Sequence, residues 1–486
     1  MFPQGCHSGL SRTSSRSPPR LLHLAQKSLL SNEALAILSL DQLPREMFPA
    51  LFVEVFNRRL LNILKAMVRV WPFEVLRLGA LMKRKQVDNL KAVLDGIDLM
   101  YAQNSDSRRG KLHVLDLRDA GWNIWNLWAQ SIDDEPKARR QPVEHKRPKS
   151  ALKVIANIYV PEVIQDQFLP HLLLWVKERA RLVHLCCHQL KISVKSIHTF
   201  SRILDVLDLS CTQEVQVDST QLLFTLTELA PYLDGMSSLH TLCVSHYGRL
   251  NHVTPEHKEL FNSDFAAQLA KLPHLRNLHL ASVCFLEDNL EQVLRCLRSP
   301  LEALSVTGCL LSEVDVCSLS QCPSLCELQH LYLSGIPLTH ISPEPLRVLL
   351  ERVAATLMTL DLLHCEMTDS HLNAMLPALS QCYQLSTFNF LGNGISMAMM
   401  EELVEHTGSL SALRVEQYPA PLESYRTQGI AHAPRFFQHC AELLRRLQRR
   451  RQPKQVLFST VPCSNCSRWM VFGLKLRKWC ECYLQD

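Results

Sequence analysis

The chain has 486 residues and only 15 glycines, and it lacks the glycine-dependent motifs of many enzymes. It contains no Gly-rich phosphate-binding loop and no Gly-x-Ser-x-Gly nucleophile turn. The His-Glu-x-x-His pair of zinc hydrolases is also absent. These absences argue against the enzyme classes that the motifs mark. We therefore expect a binding protein rather than an enzyme.

The chain also lacks long hydrophobic runs. No run of about 18 apolar residues, the length that spans a bilayer, is present. The start, MFPQGCHSGL, has no apolar segment of the kind that secretory signals carry. A hydrophobic fraction of 47% with 20% charged residues is typical of a folded, soluble protein. We expect a location in the cytoplasm and nucleus, with no membrane partner.

The clearest positive pattern is a leucine spacing that returns about every 25 to 29 residues in the C-terminal half. The motif Leu-x-x-Leu-x-Leu, with some Val and Phe in place of Leu, occurs in six copies: Leu275/Leu278/Leu280, Leu301/Leu304/Val306, Leu328/Leu331/Leu333, Leu357/Leu360/Leu362, Leu385/Phe388/Phe390 and Leu410/Leu413/Val415. Such self-similarity is the signature of leucine-rich repeats, in which each unit contributes one short strand.

The predicted fold class is therefore α/β: a leucine-rich repeat solenoid, or horseshoe, of about 28-residue strand–helix units. Weaker copies of the pattern predict strands at Leu112/Leu115/Leu117, Leu182/Leu185/Cys187, Leu204/Leu207/Leu209 and Leu239/Leu242/Val244. Cys309, Cys365 and Asn393 follow the strands at the position that closes the turn in each unit. Their polar atoms are expected to pair with backbone groups that would otherwise be buried without a partner.

Composition divides the chain into four predicted segments. Residues 1–20 are expected to be disordered, and residues 21–105 to form several short helices separated at Pro44, Pro49 and Pro72. Residues 106–455 are assigned to the repeats, with a basic loop at about 131–150. Residues 456–486 are assigned to a small C-terminal cap that contains cysteines.

The net charge of +5 is concentrated in two clusters, at 137–149 and 443–454, and the remainder of the chain is net negative. Direct nucleic-acid binding is therefore not expected. The first cluster has the composition of a nuclear import signal, although solvated loops often carry such runs. Its basic residues are Lys137, Arg139, Arg140, Lys146, Arg147 and Lys149.

Two short patterns near the N-terminus suggest a protein partner. Leu30, Ala34 and Leu38 follow the i, i+4, i+8 spacing of one helix face, which resembles the elongin-C-binding box of ubiquitin-ligase receptors with Ala34 at the usual cysteine. The second pattern resembles a cullin box, with a helix expected to start at Pro44. Its residues are Leu43, Pro44, Met47 and Leu51. A Leu/Ala stripe of this kind is also what a buried helix face carries.

Longer stretches resemble the PRAME (preferentially expressed antigen in melanoma) family. They are SLLSNEALAILSLDQLPREMFPALF, LKAMVRVWPFEVLRLGALM, LKAVLDGIDLM, SPEPLRVLLERVAATL and YPAPLESY. The resemblance runs from about residue 20 to the end. It implies a leucine-rich repeat protein that acts as the substrate receptor of a cullin-RING ubiquitin ligase. The implied partners are elongin C/B, a cullin type 2 scaffold and a target of unknown identity. The implied roles are in transcriptional repression, differentiation, proliferation and apoptosis.

The 18 cysteines are scattered and are expected to be mainly reduced core residues. The last four, Cys463, Cys466, Cys480 and Cys482, form two close pairs that could hold a structural zinc ion, although the Cys-x-Cys pair is tighter than usual. His184, Cys186, Cys187 and His188 also look like metal ligands. They lie on a predicted strand whose alternation separates neighbours, so core packing is the favoured interpretation.

Two Leu-x-x-Leu-Leu matches, at 169–173 and 346–350, resemble motifs that dock in nuclear-receptor grooves. In a leucine-rich solenoid they are expected to be buried helix faces. The sequence thus favours a non-catalytic, substrate-recognition subunit of a ubiquitin ligase. The alternative is a nuclear corepressor scaffold that acts without ubiquitin transfer.

Overall fold

The computed structural model describes residues 21–84, 87–102, 112–119, 151–160, 167–193, 201–246, 263–283, 286–426, 429–463 and 466–478. The chain divides into two compact units. The first comprises 1–155 with 166–184, and the second comprises 156–165 with 185–486.

Short helices form most of the first unit. They are α1 (Leu21–Leu29), α2 (Glu33–Ser39), α3 (Phe48–Asn57), α4 (Leu61–Arg69) and α5 (Val87–Ala102), together with the helix Phe168–Glu178. Pro49 lies in the first turn of α3, where its missing N–H has no helical acceptor to lose, so it starts that helix instead of interrupting it. Trp71 is fully buried, and its ring lies 5.1 Å from that of Phe52.

Three strands of the first unit pair in parallel. Strand β1 (Val75–Arg77) pairs with β2 (Val114–Asp116), which pairs with the start of β3 (Leu152–Val160). In the region predicted to be wholly helical, β1 is therefore a strand. Asp98 of α5 accepts hydrogen bonds from the guanidinium of Arg179 and from the indole of Trp175, at 2.6 and 3.0 Å for the closest atoms. These bonds attach the helix Phe168–Glu178 to α5.

Parallel strands alternate with helices in the second unit. The strands are β4 (Val183–Ile192), β5 (Leu207–Asp208), β6 (Glu214–Ser219), β7 (Thr241–His246), β8 (Asn277–Ala281), β9 (Ala303–Thr307), β10 (His330–Tyr332), β11 (Thr359–Asp361), β12 (Thr387–Asn389), β13 (Val415–Pro419) and β14 (Gln455–Ser459). The helices between and after them are Ser201–Leu204, Leu222–Leu233, Leu290–Arg295, Glu313–Gln321, Glu344–Val353, Asp369–Leu379, Met397–Thr407 and Ala433–Arg450.

The leucines of the repeat motif form the core of this unit. Leu278 of β8 is paired with Leu304 of β9, which is paired with Leu331 of β10. The register continues through Leu360 and Phe388, and all five side chains are fully buried. The structure confirms the leucine-rich repeat solenoid that the spacing predicted.

The turn-closing residues also have the predicted role. Asn393 accepts a hydrogen bond from the N–H of Met367 at 3.0 Å and donates to the carbonyls of Leu362 and Phe390, each at 2.8 Å. The thiol of Cys365 donates to the carbonyl of Leu333 at 3.0 Å. One side chain thus satisfies backbone groups of its own repeat and of the preceding one.

The irregular repeats depart from the prediction. Leu204 ends a short helix, and the strand expected around 204–209 consists of Leu207 and Asp208 only. The longer strand β6 follows at Glu214–Ser219. Leu209–Cys211 forms one 3-10 turn between β5 and β6, so the chain leaves β4 and rejoins it further along.

Strands close the C-terminal end. β14 pairs antiparallel with β15 (Val471–Gly473), which pairs with β16 (Arg477–Lys478). On β13, Glu416 is fully buried and forms a two-pronged ion pair with Arg451 at 2.6 and 2.5 Å. Burial by itself lowers the pKa of Arg451, but the hydrogen bonds and charge of Glu416 outweigh this and raise it.

Candidate functional site: the strand face and the N-terminal helices

The strands of the second unit present rows of side chains on the face opposite the leucine core. Alternate residues of a strand point to opposite faces, and the parallel register aligns them from strand to strand. One row contains Gln189, Glu214, Thr241, Asn277, Ala303, His330, Thr359, Thr387 and Val415. The next contains Lys191, Gln216, Cys243, His279, Ser305, Tyr332, Asp361, Asn389 and Gln417. We call these two rows the strand face.

Charge on the strand face is concentrated at β4 and β6. Lys191 forms an ion pair with Asp218 at 2.9 Å, and Gln216 donates a hydrogen bond to the same carboxylate at 2.9 Å. Gln189 donates to Glu214 at 2.9 Å. The Lys191 ammonium also lies 5.8 Å from the ring centre of Tyr159. These groups hold one another in place, so they form a preorganised polar surface.

The middle of the strand face is polar and aromatic with little charge. The rings of His279 and Tyr332 lie 6.5 Å apart, and burial lowers the pKa of His279, which favours its neutral form. Asp361 accepts hydrogen bonds from Ser334 at 2.7 Å and from Asn389 at 3.0 Å. A surface of this kind, with a few aromatic rings among hydrogen-bonding groups, suits contact with another protein.

The elongin-type residues do not form the single helical stripe that their spacing predicted. α1 ends at Leu29 and α2 begins at Glu33, so Leu30 lies in the turn between them and is buried. Ala34 and Leu38 are both exposed on α2, and the neighbouring Leu35 is exposed as well. The exposed fraction is 53% for Leu35 and 76% for Leu38. We call Ala34, Leu35 and Leu38 the α2 stripe.

The cullin-type residues also differ in their exposure. Pro44 is exposed and precedes a single 3-10 turn, Arg45–Met47, instead of an α-helix. Leu43 and Met47 are half-buried, whereas Leu51 of α3 is only 1% exposed. The helix expected to start at Pro44 begins instead at Phe48, so Met47 and Leu51 do not share one α-helix, and Leu51 belongs to the core.

Most of the remaining predicted site residues lie outside the described residues. This applies to the basic residues Lys137, Arg139, Arg140, Lys146, Arg147 and Lys149, and to Cys480 and Cys482. Of the four C-terminal cysteines, Cys463 is buried and Cys466 is half-buried. The zinc site and the import signal stay predictions.

The Leu-x-x-Leu-Leu match at 346–350 has the predicted structural role. Leu346, Leu349 and Leu350 are buried on one face of the helix Glu344–Val353. In the other match, Leu172 is fully buried, whereas Leu169 and Leu173 are half-buried. Neither match presents its full leucine set to a partner.

The cysteine pair on β4 separates as the strand alternation predicted, but only Cys187 packs simply in the core. Burial raises the pKa of Cys187 to about 12. Cys186 instead lies against Asp208 and Cys211. No local spacing marks this cluster, because Cys211 lies 25 residues after Cys186 and reaches it through the 3-10 turn.

Within the part of the chain that the structure describes, no helix is long and apolar enough to span a membrane.

Leucine-aligned parallel strands, helices between them and backbone-bonding Asn or Cys at the turns define a leucine-rich repeat protein. The model of the PRAME N-terminal domain matches residues 18–125, and that of the PRAME C-terminal domain matches residues 152–482. Human PRAME family member 12 is 47% identical over 93% of this chain and 94% of its own length. Human PRAME family member 20 is 44% identical over 96% of this chain and 99% of its own length. The protein belongs to the PRAME family.

Among solved structures, the chain is similar to the leucine-rich repeat-containing protein LegL7 from Legionella pneumophila. The TM-score is 0.33 at 14% identity, covering 62% of this chain and 91% of that one. An internalin from Listeria monocytogenes matches with a TM-score of 0.28 at 14% identity, covering 48% of this chain and 71% of that one.

Proposed function

We propose that this protein is the substrate-recognition subunit of a cullin-RING ubiquitin ligase. In this proposal, the helices of the first unit dock on elongin C/B and a cullin type 2 scaffold. The strand face of the second unit binds the target protein. The outcome is proteasomal degradation of targets that control transcription, differentiation, proliferation and apoptosis, with the protein acting in the cytoplasm and nucleus.

The observation that carries the proposal is the exposure of the α2 stripe. A folded protein that leaves two neighbouring leucines exposed on one short helix gives up the free energy of burying them, roughly 1.5 to 3 kcal/mol for a fully buried side chain. Burial in a partner's groove recovers this free energy, and the small side chain of Ala34 lets the helix approach closely. This supports the elongin-type reading for Ala34 and Leu38, and adds Leu35.

The strand face supports the second part of the proposal. Its side chains come from successive repeats, so neighbouring positions can contact a target together. Mechanistically, the subunit raises the effective concentration of the target next to a ubiquitin-conjugating enzyme, which replaces a search in solution by a local encounter. Bond making then belongs to other subunits, and no catalytic residue is assigned to this chain.

Docking is tested with the double variant Leu35→Lys/Leu38→Lys in the full-length protein. Both positions are exposed, so the fold should tolerate lysine, which is also a good helix former. The matched control is Leu174→Lys, an exposed leucine (56%) on another helix of the same unit. We expect the double variant to recover at least about tenfold less elongin C and cullin in pull-downs, an effect of about 1.4 kcal/mol.

Recovery of both adaptor subunits at the level of the control would reject the assigned docking surface. A Leu51 substitution is unsuitable for this test because that side chain is in the core. With such a variant, a lower recovery of elongin C and cullin could come from misfolding as well as from lost docking.

Target binding is tested at Tyr332 of the strand face. The variant Tyr332→Ala is compared with Tyr383→Ala, a tyrosine that is 59% exposed just after the helix Asp369–Leu379. Targets are the proteins that co-purify with the wild type and accumulate under proteasome inhibition. They should no longer co-purify with Tyr332→Ala but should still co-purify with Tyr383→Ala. If bound proteins have half-lives that do not depend on the proteasome, the protein acts instead as a corepressor scaffold.

A further inference from the structure

The part of β4 that lies in the second unit changes its neighbour halfway along its length. Its first half pairs with β5, where Cys186 is opposite Asp208. Its second half pairs with β6, where Gln189 is opposite Glu214. Between β5 and β6, the 3-10 turn Leu209–Cys211 places the sulfur of Cys211 next to that of Cys186. One residue each from β4, β5 and the 3-10 turn therefore meets the other two at one point.

The ligand-type atoms of Cys186, Asp208 and Cys211 all lie within 4.8 Å of one another. The carboxylate oxygen Oδ2 of Asp208 lies 3.9 Å from the sulfur of Cys186 and 3.6 Å from that of Cys211. In a tetrahedral zinc site, with bonds of about 2.3 Å to sulfur and about 2.1 Å to oxygen, sulfur and oxygen ligands stand roughly 3.6 Å apart. The sulfur–oxygen distances of the cluster are thus close to those of a zinc site.

The two sulfurs lie 2.7 Å apart. This is shorter than the contact distance of about 3.5 to 4.0 Å between non-bonded carbon atoms, and sulfur is larger than carbon. Two uncharged thiols are not stable at this separation. The sulfurs would close to about 2.05 Å in a disulfide or move apart by about 1 Å to the tetrahedral spacing around a shared cation, so this distance alone does not choose between the two.

The carboxylate favours the cation. Oδ1 of Asp208 accepts hydrogen bonds from the N–H and hydroxyl of Ser210, at 3.2 and 2.6 Å, which hold the carboxylate so that Oδ2 is directed at the sulfurs. The bond from the Ser210 N–H is the N-cap of the 3-10 turn, and the two bonds together also orient the carboxylate in the way that outer partners orient metal ligands. A disulfide has no need for an oriented carboxylate. Asp208 and Cys211 are half-buried, so solvent has access to the cluster, whereas Cys186 is 1% exposed.

We propose that Cys186, Asp208 and Cys211 bind a zinc ion, with water as the fourth ligand. Two thiolates select a borderline-soft ion over magnesium or calcium, which prefer oxygen ligands. The bound ion joins β4, β5 and the turn before β6. It thereby fixes the place where the regular alternation of repeats is interrupted.

The test uses the full-length protein, stripped of metal with a chelator in the presence of a phosphine reductant and titrated with Co²⁺ as a spectroscopic probe. Three variants are compared with the wild type: Cys211→Ser, Asp208→Asn and the control Cys243→Ser. Asparagine keeps the acceptor for Ser210 and removes only the charged ligand oxygen. Cys243 is a half-buried cysteine of β7 outside the cluster.

We expect Cys211→Ser to lose one equivalent of tetrahedral, thiolate-bound cobalt relative to the wild type and to Cys243→Ser. Asp208→Asn should weaken binding at that site at least about tenfold, the minimum that loss of an outer partner costs. Zinc should displace the cobalt and raise the Tm of the wild type more than that of Cys211→Ser. Cobalt bound at other cysteines is common to all four proteins and does not affect the comparison.

Equal cobalt content in the wild type, Cys211→Ser and Asp208→Asn would overturn the proposal. So would a protein that, before the phosphine is added, is lighter by two hydrogens and yields a peptide linking Cys186 to Cys211. That result would identify a disulfide in place of the metal site. Circular dichroism of each variant shows whether it is folded. Cys211→Ser and Asp208→Asn remove different ligands, so if one of them does not fold, the other still tests the site.

Discussion

The ion pair of Glu416 and Arg451 offers the sharpest test of how the repeat unit is closed at its C-terminal end. The perturbation is Arg451→Met, which keeps the bulk of the side chain and removes its charge and hydrogen bonds. Glu416 would then be a fully buried carboxylate whose remaining partner is the hydroxyl of Tyr418, at 2.8 Å. The carbonyl of Thr407 would also lose the hydrogen bond that Arg451 donates at 3.2 Å.

The magnitude follows from this geometry. Removing one partner of a buried ion pair costs about 3 to 5 kcal/mol, because the other charge is left without compensation. An exposed pair is worth less than about 1 kcal/mol. Arg295 and Glu291 form such an exposed pair at i, i+4, so Arg295→Met is the matched control. The two substitutions are chemically identical and differ in burial.

The assay is urea unfolding followed by circular dichroism, with hydrogen exchange of residues 407–459 to locate the effect. Arg451→Met should lower the free energy of unfolding by about 3 to 5 kcal/mol and increase exchange in this segment. The double variant Glu416→Gln/Arg451→Met should recover much of the loss, because the pair is coupled and the amide still accepts from Tyr418. A loss below about 1 kcal/mol, or no recovery in the double variant, would refute the reasoning.

Two further predictions concern packing and burial. Gly96→Ala should destabilise the first unit by about 1 to 3 kcal/mol in urea unfolding, although alanine is the better helix former, because its Cβ would lie 2.6 Å from the Lys65 carbonyl. An unchanged or higher stability would show that α4 and α5 can separate at no cost. At pH 8, iodoacetamide should alkylate the exposed Cys326 of the native protein but not Cys365, where burial raises the pKa to about 12 and keeps the thiol protonated. Equal labelling of both, measured by peptide mass spectrometry, would contradict the buried position of Cys365.

The regular repeats could be predicted from the sequence because their signal is local and repeated. Each copy places a leucine such as Leu331 or Leu360 in the same register. An error in predicting the bounds of one repeat therefore does not change the prediction for the next. The irregular units carry weaker signals. β6 has the alternating sequence EVQVDS, which indicates a half-buried strand, but it lies a few residues after a leucine triplet that looked like the strand itself. That triplet contains only the two-residue strand β5, because Leu204 ends a helix.

The candidate sites were less predictable, because exposure depends on contacts between distant residues. Leu38 and Leu51 both occur at helical spacing, yet the first is 76% exposed and the second 1%. The sequence contains no local difference that decides this. Leu51 is buried because it lies on the same helix as the aromatic residues that pack around Trp71. The cluster at Cys186 has the same origin, since Asp208 and Cys211 reach it through strand pairing and a turn.

The alternation within each strand has a consequence for how binding specificity can change in this protein. Leu331 is fully buried, whereas its neighbours His330 and Tyr332 lie on the strand face. A substitution at an accessible position of the strand face is therefore expected to have little effect on the core, since surface changes rarely exceed about 0.5 kcal/mol. By the same argument, Tyr332→Ala should leave the urea midpoint close to that of the wild type while it removes bound targets. If the midpoint fell as far as for a core leucine variant, the strand face would be part of the folding core and not a free surface for recognition.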